Sequence, residues 1–299
     1  MAPTQHPIET GHVHANGIDI HYLACGRGPL ALCVHGFPDS AWTYRHLLPA
    51  LAQAGYRAVA PFLRGYAPTA VPNDGRYDMR TIGDDFNALH AVLGGDRESV
   101  LIAHDWGAVA AYAALGSAPA NWRRAVIVNI PPAGVFGQVV FSYEQIKRFG
   151  YIWFFQMDCA QDVLAMDNLS FLDGLWGDWS PGYDATTDLE HAKACLREPA
   201  NLTAALGYYR TVFNPKFFGK ADYVAAQGEV WGKPTTMPTL YFHGLRDGCF
   251  ALTKELAGQV PQFLGAGSEV EILEDAGHFL LVEKPDLVNP KIVAFLARG

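Results

Sequence analysis

Val100-Leu101-Ile102-Ala103-His104-Asp105-Trp106-Gly107-Ala108-Val109-Ala110-Ala111 is the stretch on which the reading of this chain turns. A short apolar run bounded by polar residues reads as a strand buried in a parallel sheet. It stops at a charged residue, and an alanine-rich run of helical character starts at once. The core therefore delivers Asp105 to the tip of a sharp strand-to-helix turn. Ala103 and Gly107 flank it, and small flanks are what a tight turn requires, because a larger side chain would strike neighbouring backbone. Such a turn presents a nucleophile, here a carboxylate in place of a hydroxyl. Taken alone, an Asp after an apolar strand is more often a helix N-cap.

Upstream, the residues around Asn16-Gly17 alternate in polarity, a hairpin signal. Leu30-Ala-Leu-Cys-Val34 is an apolar run fit for a buried strand and ends at His35-Gly36-Phe37-Pro38. Trp42, Leu47, Leu48 and Leu51 then repeat at helical spacing, and a short strand follows over 56–60. A loop at 67–75, a helix over 79–93, the Asp105 strand and helix, and a strand over 124–128 complete this half. Strands alternating with helices mean βαβ units and a mostly parallel, twisted sheet with helices on both faces. The rhythm breaks at Pro131-Pro132. Residues 133–231 hold no convincing strand but many aromatics at helical spacing, which reads as an inserted helical cap. After a turn-rich linker at 232–238, strands return at 239–243 and 270–273, with helices over 252–260 and to 296. The expected organisation is a core of residues 1–132 and 232–299 and a cap of 133–231.

Of 299 residues, half are hydrophobic and 17% charged, enough to bury a large core. The net charge of −8 and the lack of any dense basic run argue against nucleic acid or an anionic membrane as partner. Five scattered cysteines read as reduced thiols rather than a disulfide frame or zinc site. The opening residues show no leader pattern, and no stretch is fit to span a bilayer, so a soluble cytoplasmic protein is expected. A homodimer is left open.

In open parallel sheets, ligands bind beyond the carboxyl ends of the strands. Four strand ends here carry polar groups: His35-Gly36-Phe37-Pro38, Asp105, Asp247 and His278. Their order of nucleophile, acid and histidine is that of a catalytic triad on this kind of sheet. Asp105 would attack a saturated carbon and form an alkyl ester, which water can then hydrolyse at its carbonyl. His278, with a pKa near neutrality, would activate that water, and Asp247 would orient the imidazole. The backbone N–H groups of Phe37 and Trp106 are the natural pair to hold the tetrahedral oxyanion. The chemistry calls for no cofactor and no metal. His35, His104 and His243 lack ligand spacing.

With these motifs in order, the chain resembles α/β-hydrolases of the branch that contains epoxide hydrolases and haloalkane or haloacetate dehalogenases, whose nucleophile is Asp. The resemblance rests on His-Gly-Phe-Pro, His104-Asp105-Trp106-Gly107, Asp247 and Gly277-His278, with Arg64-Gly65-Tyr66 as a weaker echo. It covers most of the chain. It implies a cis bond before Pro38 and two cap tyrosines that protonate an epoxide oxygen: Tyr209 in Leu206-Gly-Tyr-Tyr-Arg210 and Tyr151 in Phe149-Gly-Tyr-Ile-Trp153. It also places Trp153, Tyr208, Pro38 and His104 against the substrate.

The expected reaction is hydrolysis of a small apolar epoxide, with water, to a vicinal diol. The alternative is a hydrolytic dehalogenase, with Trp106 and Trp153 as halide donors. Haloacetate enzymes carry an Arg directly after the nucleophile and a His in the cap, where this chain has Trp106 and Ile152. Haloalkane enzymes usually place Asn or Glu where Phe37 stands. A hydrolase-fold scaffold without chemistry is the non-enzymatic reading, and the complete triad opposes it.

Overall fold

Eight strands form one sheet in the order β1-β2-β4-β3-β5-β6-β7-β8: β1 (Glu9–Ala15), β2 (Ile18–Cys25), β3 (Leu30–Val34), β4 (Arg57–Pro61), β5 (Val100–His104), β6 (Arg124–Val128), β7 (Thr239–Gly244) and β8 (Glu269–Leu273). The computed structural model describes residues 6–298; the opening residues read above for a leader pattern fall partly outside them. β1 and β2 form the antiparallel hairpin expected at Asn16-Gly17, with both turn residues at positive φ (46° and 78°). From β4 to β8 every neighbouring pair is parallel. Every residue of β3, β5, β6 and β7 is buried, as strands covered on both faces must be.

Helices α1 (Leu47–Gln53), α2 (Met79–Val92) and α3 (Trp106–Ser117) cross between the first parallel strands. Helix α3 is apolar all round, and Trp106 through Leu115 are buried. Between β6 and β7 lie α4 (Ala133–Val139), α5 (Tyr143–Arg148), α6 (Gly150–Phe154), α7 (Ala160–Ala165), α8 (Ser170–Trp179), α9 (Thr186–Leu196), α10 (Pro199–Val212) and α11 (Ala221–Trp231), with no strand among the described residues of this segment. The chain ends with α12 (Lys254–Ala257), α13 (Leu280–Glu283) and α14 (Pro285–Leu296).

Two helices differ from the sequence reading. The pattern from Trp42 to Leu51 is a 3₁₀ turn, Ala41–Tyr44, followed by the separate α1. The helix expected over 252–260 is only the four residues of α12, with a 3₁₀ turn at Val260–Phe263. Gly258 and Pro261 interrupt the ladder there, glycine through its entropy and proline through its missing N–H. The last helix ends at Leu296 as expected and starts at Pro285, which stands at the first position of α14. Among the described residues no helix is long and apolar enough to cross a membrane.

Candidate active site

The register of the sheet assembles the site. Val34 pairs with Ala103 and His104 with Val128, so β5 ends between the loops that follow β3 and β6. Asp105 caps α3 with φ 53° and ψ −122°, a conformation that L-residues rarely adopt and that persists only when the surroundings enforce it. Two glycines enforce it. A Cβ on Gly107 would stand 2.4 Å from the carbonyl oxygens of Val34 and His35, and one on Gly36 would stand 2.2 Å from Asp105 Oδ1. The turn is tight because these backbones touch.

The Phe37 N–H donates to Oδ1 of Asp105 at 2.8 Å, and the Phe37–Pro38 bond is cis, as the resemblance implied. On the other side, His278 Nε2 lies 3.5 Å from Asp105 Oδ2, and Nδ1 lies 3.1 Å from Asp247 Oδ2. The second oxygen of Asp247 accepts from the N–H groups of Cys249 (2.6 Å) and Phe250 (3.1 Å), which fixes the carboxylate. The Trp179 carbonyl at the end of α8 accepts from the N–H groups of His278 (2.9 Å) and Gly248 (3.2 Å), and Ser180 Oγ accepts from the Phe279 N–H (3.0 Å). The inserted segment thus holds both loops of the Asp–His pair.

Burial alone would lower the His278 pKa. The negative charges of Asp247 and Asp105 outweigh it and raise it to about 10. The pKa near neutrality that a general base needs is therefore not that of the resting ring, which faces two carboxylates. Burial would raise both Asp105 and Asp247, but the facing histidine holds each below the usual carboxylate range. At neutral pH the trio is an imidazolium between two carboxylates.

A cavity of about 320 Å³ opens over Asp105. Trp106, Tyr151, Tyr209 and Cys249 share its wall with Asp105, and α4 and α11 supply much of the rest. Phe141 and Val224, both on the lining, are more than half exposed and mark its mouth. Tyr209 Oη is buried without a partner, and Tyr151 Oη lies 3.7 Å from Cys249 Sγ. Burial raises both phenols well above their ordinary value, reinforced by the Asp105 charge, so both are neutral O–H donors.

Four residues expected against the substrate do not line this cavity. Trp153 packs on Phe213 and Phe218 instead, because residues two apart on a helix point in opposite directions and Tyr151 takes the inward one. Tyr208 turns toward the core and donates to the Arg64 carbonyl at 2.9 Å. Arg64 itself is buried in a two-point ion pair with Asp85, at 2.6 Å for each contact, so the Arg64-Gly65-Tyr66 segment is structural. The Pro38 carbonyl accepts from the Trp176 indole at 2.8 Å. His104 is buried behind His278, its Nε2 3.0 Å from the His278 carbonyl.

Sequence reasoning missed Cys249, Trp179 and Asp39. Cys249 stands two residues after Asp247, so the turn that carries the acid also carries the thiol to the site. Trp179 acts through its carbonyl, which no side-chain pattern reports. Asp39 is fully buried, its Oδ2 without a partner 4.0 Å from His104 Nδ1, and burial with the nearby Asp188 charge raises it to about 8.

The fold and this site define an α/β-hydrolase, and a family model for the alpha/beta hydrolase fold matches residues 29–285. The chain belongs to that family, in its epoxide hydrolase branch. It is 30% identical to epoxide hydrolase A of Mycobacterium tuberculosis, over 99% of this chain and 98% of that one. It is 29% identical to the AB hydrolase superfamily protein YfhM of Bacillus subtilis, over 97% and 98% of the two chains. The crystal structure of a Bacillus megaterium epoxide hydrolase in complex with an inhibitor superposes with a TM-score of 0.83 at 26% identity, covering 96% of this chain and all of that one.

Proposed function

We propose that the protein hydrolyses an apolar epoxide to a vicinal diol through an ester on Asp105. The observation that carries this reading is the pair of neutral, buried phenols, Tyr151 and Tyr209, on the same cavity wall as the Asp105 carboxylate. Ring opening expels an alkoxide, which is too basic to leave unassisted and needs a proton at the moment of attack. Residues 133–231 act as the cap that supplies these donors. The Phe37 N–H holds Oδ1, so Oδ2 is the oxygen left to attack a ring carbon.

Esterification removes the Asp105 charge, one of the two that hold the proton on His278. The His278 proton then passes through solvent to the phenolate that ring opening leaves, and the neutral imidazole, with Asp247 still on Nδ1, is a competent base that takes a proton from the attacking water. The oxyanion that forms on the ester is held by the Phe37 and Trp106 N–H groups. Release of the diol restores the carboxylate and with it the imidazolium.

Single turnover in ¹⁸O-labelled water tests the scheme. The first diol released should carry unlabelled oxygen from Asp105, and the label should appear in the carboxylate. Direct incorporation of solvent oxygen into that first diol overturns the ester.

A hydrolytic dehalogenase is the second reading, favoured by Trp106 on the cavity wall. It needs a second N–H donor for the halide, and Trp153, packed on Phe213 and Phe218, is not among the residues lining the cavity. Halide release and diol formation, measured over one panel of substrates, separate the two readings.

A further inference from the structure

Cys249 has no part in the reaction proposed above, yet it lies at its centre. The donor atoms of Asp105, Cys249 and His278 all lie within 4.8 Å of one another, and all three residues are buried. His278 Nε2 is fully buried and has no hydrogen-bond partner, and it faces Asp105. We propose that these three side chains form a site for a thiophilic divalent cation of the Zn²⁺ or Cd²⁺ type, which silences the enzyme by occupying its nucleophile and its base together.

The donor set is one sulfur, one imidazole nitrogen and one carboxylate oxygen, which suits a borderline or soft ion and not Mg²⁺ or Ca²⁺. Tetrahedral Zn²⁺ with ordinary bond lengths needs its donors about 3.3–3.6 Å apart. The Nε2–Oδ2 separation is already 3.5 Å, so only the sulfur has to draw in.

Two ligands are held from behind. Asp247 bonds the far nitrogen of the His278 ring, the carboxylate–histidine arrangement that orients imidazoles at metal sites, and the Phe37 N–H fixes the other oxygen of Asp105. Asp105 and Cys249 both line the cavity, so the ion has an entry path and a fourth position open to water. Binding releases the thiol proton and the proton on Nε2 to solvent, and the reaction needs neither oxidant nor reductant.

The test is titration of the full chain with Cd²⁺ and Zn²⁺ in the absence of any epoxide, so its outcome does not depend on the reaction catalysed. The exposed Cys159 is replaced (Cys159→Ala) to remove an adventitious thiol. One ion per chain should bind by calorimetry, with a thiolate-to-Cd²⁺ charge-transfer band in the near ultraviolet. Cys249→Ala and Cys249→Ser should abolish the band and weaken binding by at least ~10-fold. His278→Gln, which keeps the thiol, should weaken Zn²⁺ binding by a similar factor. Circular dichroism verifies each fold. Absence of stoichiometric binding, or a band that survives loss of Cys249, overturns the site.

Discussion

His278 Nε2 stands 3.5 Å from Asp105 Oδ2 while its other nitrogen is held by Asp247, so one ring is shared by two carboxylates. The consequence is a histidine that stays charged up to about pH 10 in the resting protein. Nitrogen-resolved NMR should find its titration far above 6.5, and Asp105→Asn should bring it down, because one of the two facing charges is gone. A native value near 6.5 overturns this. The effect on stability has a definite sign. The raised histidine contributes stability that is complete below about pH 6.5 and is lost as pH rises toward about 10. The depressed aspartates contribute stability that is present above about pH 4 and is lost as pH falls through their lower native values. Melting temperature against pH should therefore fall on both sides of a plateau, and His278→Gln should flatten the alkaline side.

Under the proposed scheme, replacing Asp105 and replacing His278 should have different signatures. Asp105→Asn should reduce turnover by ~10⁴-fold or more, with no adduct. His278→Gln should still be alkylated, and intact-mass spectrometry should show one substrate mass added on Asp105. An unmodified His278→Gln chain after incubation with a substrate of the native enzyme argues against the ester.

Tyr151→Phe and Tyr209→Phe each delete one proton donor and no ring contact. Each should cost roughly 10²–10⁴-fold in epoxide turnover, with little change in melting temperature. Any halide release should be largely spared in Tyr209→Phe. Unchanged epoxide kinetics in both variants would remove the phenols from the reaction.

Gly137 lies on α4 in the cavity wall, and a Cβ built there meets nothing within 4 Å. Gly137→Leu should leave the fold intact and fill part of the space. Its kcat/KM should fall roughly tenfold or more for epoxides with a bulky arm, while the smallest epoxides are spared. An equal loss for all sizes would show that the space is not used by substrate.

Gly107→Ala should be destabilising although alanine is the better helix former by ~1 kcal/mol. The added methyl would meet two backbone carbonyls at 2.4 Å, and overpacking against groups that cannot turn aside costs typically 1–3 kcal/mol. Chemical denaturation should show a net loss of ~1–2 kcal/mol.

The sheet and the meeting of Asp105, Asp247 and His278 were legible in the sequence because both are written in local patterns. Buried strands are short apolar runs, and residues in the turn that follows such a run sit beyond the carboxyl ends of the strands. Asp105, Asp247 and His278 were placed beyond the strand ends in that way, whereas Pro38, read against the substrate, does not line the cavity. What the sequence reading missed depends on direction and on backbone. Tyr151 and Trp153 look equally suited to the cavity until a helix turns one inward and the other away. Tyr208 and Tyr209 are adjacent, and only the helix phase decides which reaches Arg64 and which reaches the cavity. The Trp179 carbonyl carries no side-chain signature at all. The raised pKa of His278 was out of reach because it follows from two distances, not from any spacing along the chain.

The Trp179 carbonyl and the Ser180 hydroxyl tie the inserted segment to the loops that carry Asp247 and His278. This makes residues 133–231 a poor candidate for a freely hinged lid, since swinging α8 outward would unseat the histidine. Traffic through the mouth between Phe141 and Val224 leaves those ties unbroken. The same ties govern modular engineering: exchanging this segment between relatives also exchanges part of the histidine's mounting. A working chimera has to carry the end of α8 together with the loops it fastens, or keep all three from one parent.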